Sequence, residues 1–338
     1  MKTYRVLLMG MIIVGMMTGV FITEKASAEE GVTVGFGSLK IGGIYQSTFT
    51  WFEYDDTPCE FKTQRAMISL SGTLVPDKIK YLVQANAIQS PILLDSKLML
   101  YHIPNTELSI GRFLPFFTLF MPKSAAQQDF IKYPLTTSQY AMWRQTGVQF
   151  KTTIDSFSLY YGVFNGYQFD DKYTLNGNDW GDQNDAKDFL LSATFNVNKE
   201  MKIGAFGWFG KPYIASTDED FTVTRFGANF EWRNPKFHAA AEYIMGNQDY
   251  GHGMKVKNHA AFVQGGFSFV ENWELLARYE IWDPNKDVDK DGQKWFTAGL
   301  NYSLEKHYTK FFLNYVAKME EVSGIDNDEI VFQVQFSF

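Results

Sequence analysis

From Leu39 onward, apolar and polar residues alternate with period two in segments about ten residues long, and that repeated pattern admits few folds. On a strand, alternation sends successive side chains to opposite faces. About ten residues is also the length a tilted strand needs to cross a bilayer. Sixteen segments fit, at about 39–54, 61–74, 78–88, 93–103, 106–113, 143–153, 157–166, 187–197, 201–210, 221–233, 236–246, 258–270, 272–282, 294–304, 307–318 and 329–338. Backbone groups in lipid must all be paired, so a sheet of such strands has to close on itself.

The connections sharpen this reading. Every second one is a tight turn: Val75-Pro76-Asp77, Pro104-Asn105, Ile154-Asp155-Ser156, Asn198-Lys199-Glu200, Asn234-Pro235, Glu271-Asn272 and Glu305-Lys306. The others are mostly longer and acidic, as at 167–186, 211–220, 247–257, 283–293 and 319–328. Short turns at one end and long loops at the other are the pattern of an outer-membrane barrel. A soluble sandwich gives no reason for such strict alternation. In the last segment, Ile330, Phe332, Val334, Phe336 and Phe338 share one face, while Val331, Gln333, Gln335 and Ser337 share the other. That is an apolar face for lipid opposite a largely polar face for water.

Residues 1–28 read as a secretory leader: Lys2 and Arg5, an apolar run from Val6 to Ile22, then the cleavage site Ala26-Ser27-Ala28. Removing Lys2, Arg5 and Lys25 together with Glu24 takes the formal charge from −7 to −9. Such an acidic balance argues against nucleic acid as a partner. Cys59 is the only cysteine, so no intrachain disulfide forms in an oxidising compartment. Aromatics make up 17% of the chain, which suits belts at two lipid interfaces. The expected fold is therefore all-β: a closed antiparallel transmembrane β-barrel of about sixteen strands over residues 29–338, in the bacterial outer membrane, surrounded by lipid and lipopolysaccharide.

One connection breaks the rule of polar loops. Residues 114–142 carry Phe116, Phe117, Leu119, Phe120, Met121, Phe130, Ile131, Tyr133 and Tyr140. A connection of that length among short hairpins is uncommon and usually functional. It reads as the third outer loop, folded back into the lumen with its apolar side on the wall. The order of leader, sixteen segments, inserted third loop and terminal Phe338 resembles the Gram-negative porins. The runs E-L-S-I-G-R-F-L-P-F-F at 107–117 and R-Q-T-G-V-Q-F at 144–150 are similar to the strand–loop–strand of the phosphate-selective porin O and P group. That resemblance implies a water-filled pore, commonly a trimer, with the third loop as constriction. It also implies anion selectivity, which in that group is attributed to arginine ladders and a lysine cluster. Here the basic residues appear singly on successive strands.

Projecting the alternation inward puts Arg65, Lys80, Lys97, Arg112, Lys151 and Arg225 on the water face. Arg144 has the other parity but lies at the rim beside the insertion, where either direction is open. Asp95, Glu242, Glu274 and Glu280 face the same lumen, with Arg278 among the last two. A charge on the lipid face costs about 2–4 kcal/mol at mid-bilayer, which is the energetic basis of the assignment. Lys123, Asp129 and Lys132 in the insertion face the basic wall or the water. An excess of one sign across a narrow opening enriches the opposite ion. The reading leans to weak preference for small inorganic or organic anions. The bland alternative is that these charges only solvate and brace the wall through exposed pairs.

Asp287-Val-Asp289-Lys-Asp291-Gly292 resembles the first half of a calcium loop, with carboxylates at alternate positions and Gly at the turn. Its closing Glu is missing, since the twelfth position is Ala298, so a solvated acidic turn is the simpler reading. Otherwise no cofactor is expected. His102, His238, His252, His259 and His307 are scattered and give no triad or ligand spacing. The chain is read as a passive channel and not an enzyme. The alternatives are a scaffold barrel housing an electron-transfer or other periplasmic partner, and a barrel hydrolase.

Overall fold

Sixteen long strands form the wall: β1 (Gly37–Phe52), β2 (Glu60–Val75), β3 (Ile79–Asn86), β4 (Leu93–Ile103), β5 (Thr106–Phe113), β6 (Gln145–Ile154), β7 (Phe157–Phe164) and β8 (Asp188–Asn196). They continue as β9 (Met201–Gly210), β10 (Thr222–Arg233), β11 (Phe237–Asp249), β12 (Lys255–Val270), β13 (Trp273–Asp283), β14 (Gln293–Leu304), β15 (Thr309–Glu320) and β16 (Glu329–Ser337). The structure is a computed structural model that describes residues 32–34, 37–53, 59–88, 92–166, 168–169, 185–214, 219–251, 253–304, 308–320 and 327–338. The leader, the turn at Glu305-Lys306, His252, His307 and most of the connections at 167–186 and 319–328 lie outside the described residues.

Each wall strand pairs antiparallel with its sequence neighbours, and β1 pairs with β16 from Ile44 opposite Ser337 to Phe52 opposite Glu329. That last ladder joins the two ends of the sheet. Phe338 extends the seam, exchanging backbone hydrogen bonds with Gly43 at 3.0 and 3.1 Å. Sixteen strands and their limits agree with the sequence reading to within a few residues. The hairpin of β11 and β12 runs three residues further than expected at each limb, to Asp249 and from Lys255. Its polar Asn247, Gln248 and Asp249 carry no alternation signal, yet they keep pairing with Lys255–Lys257. Short pairs that the sequence did not suggest join residues 32–34 to β1, and 213–214 to 168–169 and 219–220.

Tight turns at one end follow from local chemistry. Asp77, Asn105, Asp155 and Asn272 hold φ of 57°, 57°, 50° and 68°. Asn and Asp tolerate that left-handed region better than other side chains, because their short polar groups bond the nearby backbone. The wall is two-faced. On β16, Val331, Gln333 and Gln335 are buried inside, whereas Phe336 is exposed outside. Outward aromatics pair near the turn end, Phe237 with Phe267 at 4.9 Å and Trp273 with Tyr302 at 4.6 Å. Others pair towards the long-loop end, Phe209 with Phe226 at 5.2 Å and Phe49 with Phe61 at 4.6 Å. These are the two belts expected at lipid interfaces.

A bulge at Gln46/Ser47 changes what faces in. Gln46 opposes Arg65 and Ser47 opposes Thr63, so β2 carries one extra residue, Gln64. Lys62 therefore falls opposite the inward Thr48 and points to the same side as Arg65, three positions away. On β5, Gly111 adopts φ +126°, and a Cβ there would stand 2.1 Å from the Ser96 carbonyl oxygen. Strain of this kind costs about 1–3 kcal/mol before any clash is counted. Gly111→Ala is thus expected to lower the urea midpoint of the detergent-solubilised barrel, whereas Gly265→Ala, whose Cβ would meet nothing closer than 3.5 Å, leaves it unchanged.

Candidate functional site

Residues 114–142 lie against the inner surface of the wall, and their contacts run from β6 round to β16 and on to β1, β2 and β4. Phe116 stacks on Tyr160 of β7 at 3.7 Å, and its N–H donates to Gln149 of β6. Phe117 meets Phe206 and Trp208 of β9 edge-on at 4.9 and 5.8 Å. With Met121, Tyr140 and Met142 it forms the largest buried apolar cluster. Further along, the Ile131 N–H donates to Asn314 of β15 at 2.9 Å, and Gln335 of β16 donates to the Ala126 carbonyl at 3.3 Å.

Two buried carboxylates fasten the middle of this segment. Glu242 accepts from the Leu119 N–H and from the Thr136 hydroxyl, so one side chain ties together points seventeen residues apart. Glu280 accepts from the N–H of Leu135, the first residue of the single-turn helix α1 (Leu135–Tyr140), and holds Arg278 at 2.7 Å with its other oxygen. Arg278 donates in turn to the Lys132 carbonyl and lies 4.6 Å from the Phe130 ring. Arg225 is buried and donates to the Tyr140 carbonyl at 2.6 Å. These four were expected as charges on open water. They are struts between the wall and the segment.

The segment's own charges are paired too. Asp129 takes Arg233 at 2.8 Å and Gln264 at 2.9 Å, Lys132 reaches Glu329 at 2.5 Å, and Lys123 contacts Glu231. Arg144 turns inward from the rim, donating to Asp95 and Gln84 at 3.0 Å each. Glu274 receives His238 at 2.9 Å. Lys80 and Lys151 face inward near the tight-turn end, over the rings of Tyr101 and Tyr160. Arg65 bonds Gln46 at 2.5 Å and lies over Tyr133 at 5.7 Å, while Lys97 lies over Phe113 at 5.5 Å. Among the described residues, neither Arg65 nor Lys97 has a carboxylate within ion-pair distance.

Arg112 stands in register between Ser96 and Thr146 and is buried, 3% exposed. The turn that carries Asp287, Asp289 and Asp291 is shaped locally. Asp283 and Asn285 bond the Asn285 and Asp287 N–H groups to shape that turn. Among the described residues, no three His, Cys, Asp or Glu side chains converge to hold a metal. Lys62, by contrast, was missed, since nothing in the sequence announces the bulge that turns it inward.

Beside the segment the interior stays open, as cavities that follow one another along the barrel. Towards the long loops is one of about 580 Å³, bounded by Lys62, Lys132, Lys318 and Glu329. It shares Arg65 and Tyr133 with the next, of about 680 Å³, which also holds Lys97, Arg144 and Asp95. Lys123 then connects to a third, of about 920 Å³, at the tight-turn end.

The fold of this closed wall is shared with solved proteins. The chain superposes on OmpT of Vibrio cholerae, in-vitro folded and in a trimer form, with a TM-score of 0.66 at 12% identity over 89% of this chain and 99% of that one. An anion-selective porin from Comamonas acidovorans gives 0.67 at 13% identity, over 89% and 100%. The outer-membrane channel DcaP of Acinetobacter baumannii gives 0.65 at 11%, over 89% and 97%. The description "Phosphate-selective porin O and P" belongs to the family whose sequence model matches residues 211–338. The chain has the fold of these barrels, and its C-terminal part is similar to that family. No curated protein matches the chain by sequence. The chain's place is the bacterial outer membrane, and the family match falls on β10–β16, the part of the wall that carries most of the fastenings of residues 114–142.

Proposed function

We propose that the chain is a passive diffusion channel for small hydrophilic solutes, that residues 114–142 narrow it, and that it prefers anions. The observation that carries this reading is the pair Arg65 and Lys97. Both border the middle cavity, and both lack the carboxylate partners that neutralise Arg144, Lys123 and Lys132. Uncompensated charge in a narrow opening with low-dielectric walls concentrates the opposite ion. The anion-selective Comamonas barrel and the family match support the same direction. A homotrimer is proposed with it, in keeping with the trimer form of the Vibrio barrel. The segment occupies space that a protein housed in the lumen would need, which favours the channel over a scaffold.

Purified protein added to a planar bilayer is expected to give stepwise, ohmic conductance. Under a potassium chloride gradient the reversal potential takes the sign of chloride preference. Silent bilayers at high protein overturn the channel, and a reversal potential of the potassium sign overturns the selectivity.

A further inference from the structure

The inward face is not uniformly polar. On β14–β16 its buried residues include Thr297, Asn301, Asn314, Gln333 and Gln335, as a water-filled wall requires. On β1, β2 and β4 it carries Ile44, Met67 and Leu94, packed together against Ala125 and Ala126 of the inserted segment. Leu82, Phe113, Tyr133 and Trp143 border the same cavity. Ile44, Met67 and Leu94 are largely covered by that segment, but Leu82, Tyr133 and Trp143 keep part of their surface open beside them, which suits an occupant with apolar surface of its own. The two unpaired cations border that cavity as well, each seated on an aromatic ring.

A cavity of about 680 Å³ lined about half by apolar and aromatic side chains and half by polar and charged ones has the make-up of a small-molecule site. Inorganic phosphate does not suit it. That ion is strongly hydrated and needs charged donors around all its oxygens, whereas Lys123 and Arg144 are engaged by Glu231 and Asp95, which leaves one guanidinium and one ammonium with neutral amides and an apolar flank. A carboxylate on a planar apolar body suits both halves: its charge goes to the cations, and its ring lies along Met67 and Leu82 and extends the stacks begun by Tyr133 and Phe113.

We infer that the middle of the passage holds a binding subsite for aromatic monocarboxylates, with Arg65 and Lys97 receiving the carboxylate and Met67, Leu82 and Tyr133 the ring. This rests on the channel reading and gives it a solute class.

The test uses benzoate, acetate and phosphate as probes on single channels of the full chain carrying chloride. Benzoate is expected to interrupt the chloride current at a concentration about fivefold or more below that needed with acetate or phosphate. Met67→Gln and Leu82→Gln should each raise the half-blocking benzoate concentration by about fivefold. Chloride current in the same records reports whether each variant has assembled. If benzoate blocks no better than acetate and phosphate, or if both conducting variants keep the native block, the subsite is overturned while the channel stands. If the native protein carries no current, the channel reading falls and the subsite with it.

Discussion

Exchanging Arg65 and Lys97 together for glutamate is expected to turn the reversal potential from the chloride sign to the potassium sign. The reason lies in the pairing around them. Arg144 is neutralised by Asp95, Lys123 by Glu231 and Lys132 by Glu329, so the net charge of the middle cavity rests on the other two cations. At a separation of about 6 Å, and in a medium between water and protein surface, each charge acts on a passing ion with on the order of 1 kcal/mol. Reversing both signs therefore swings the balance by several times the thermal energy. Screening shortens this reach to about 8 Å at physiological salt, so the measurement belongs at low ionic strength. Arg144→Glu alone should do less. A reversal potential that stays on the chloride side in the double variant would place the selecting charges elsewhere.

Replacing residues 116–141 with a short glycine-serine link is expected to raise single-channel conductance severalfold and to lower the unfolding midpoint. Apolar packing, more than the carboxylate fastenings, decides how firmly this segment is held. Phe117, Met121, Tyr140 and Met142 are almost wholly buried, and each such side chain contributes about 1.5–3 kcal/mol. Loss of one buried hydrogen-bonding partner costs about 1–3 kcal/mol. Glu242→Ala should accordingly add noise to the open channel without approaching the conductance of the shortened chain. If the shortened chain conducts no more than the native one, residues 114–142 do not narrow the passage.

The wall was legible because lipid enforces parity: a strand such as β16 must put Phe and Val on one side and Gln on the other, and sixteen strands obeyed. Side-chain roles inside were less so. Lys62 was hidden because a single extra residue at Gln64 resets the alternation, and bulges leave no mark in composition. Glu242 and Glu280 read as charges opposed across water. Their partners are the N–H groups of Leu119 and Leu135, more than a hundred positions away, and no pattern of side chains reports a backbone donor. The apolar insertion was conspicuous, but which wall it would rest on depends on these same distant fastenings.

Because residues 114–142 cross the interior, the open space changes walls: the middle cavity is bounded by β1–β5, whereas the cavity at the tight-turn end is bounded by β9–β16. A travelling solute consequently meets one set of side chains in mid-passage and a different set at the end. Each stretch could be retuned by substitutions that leave the other untouched.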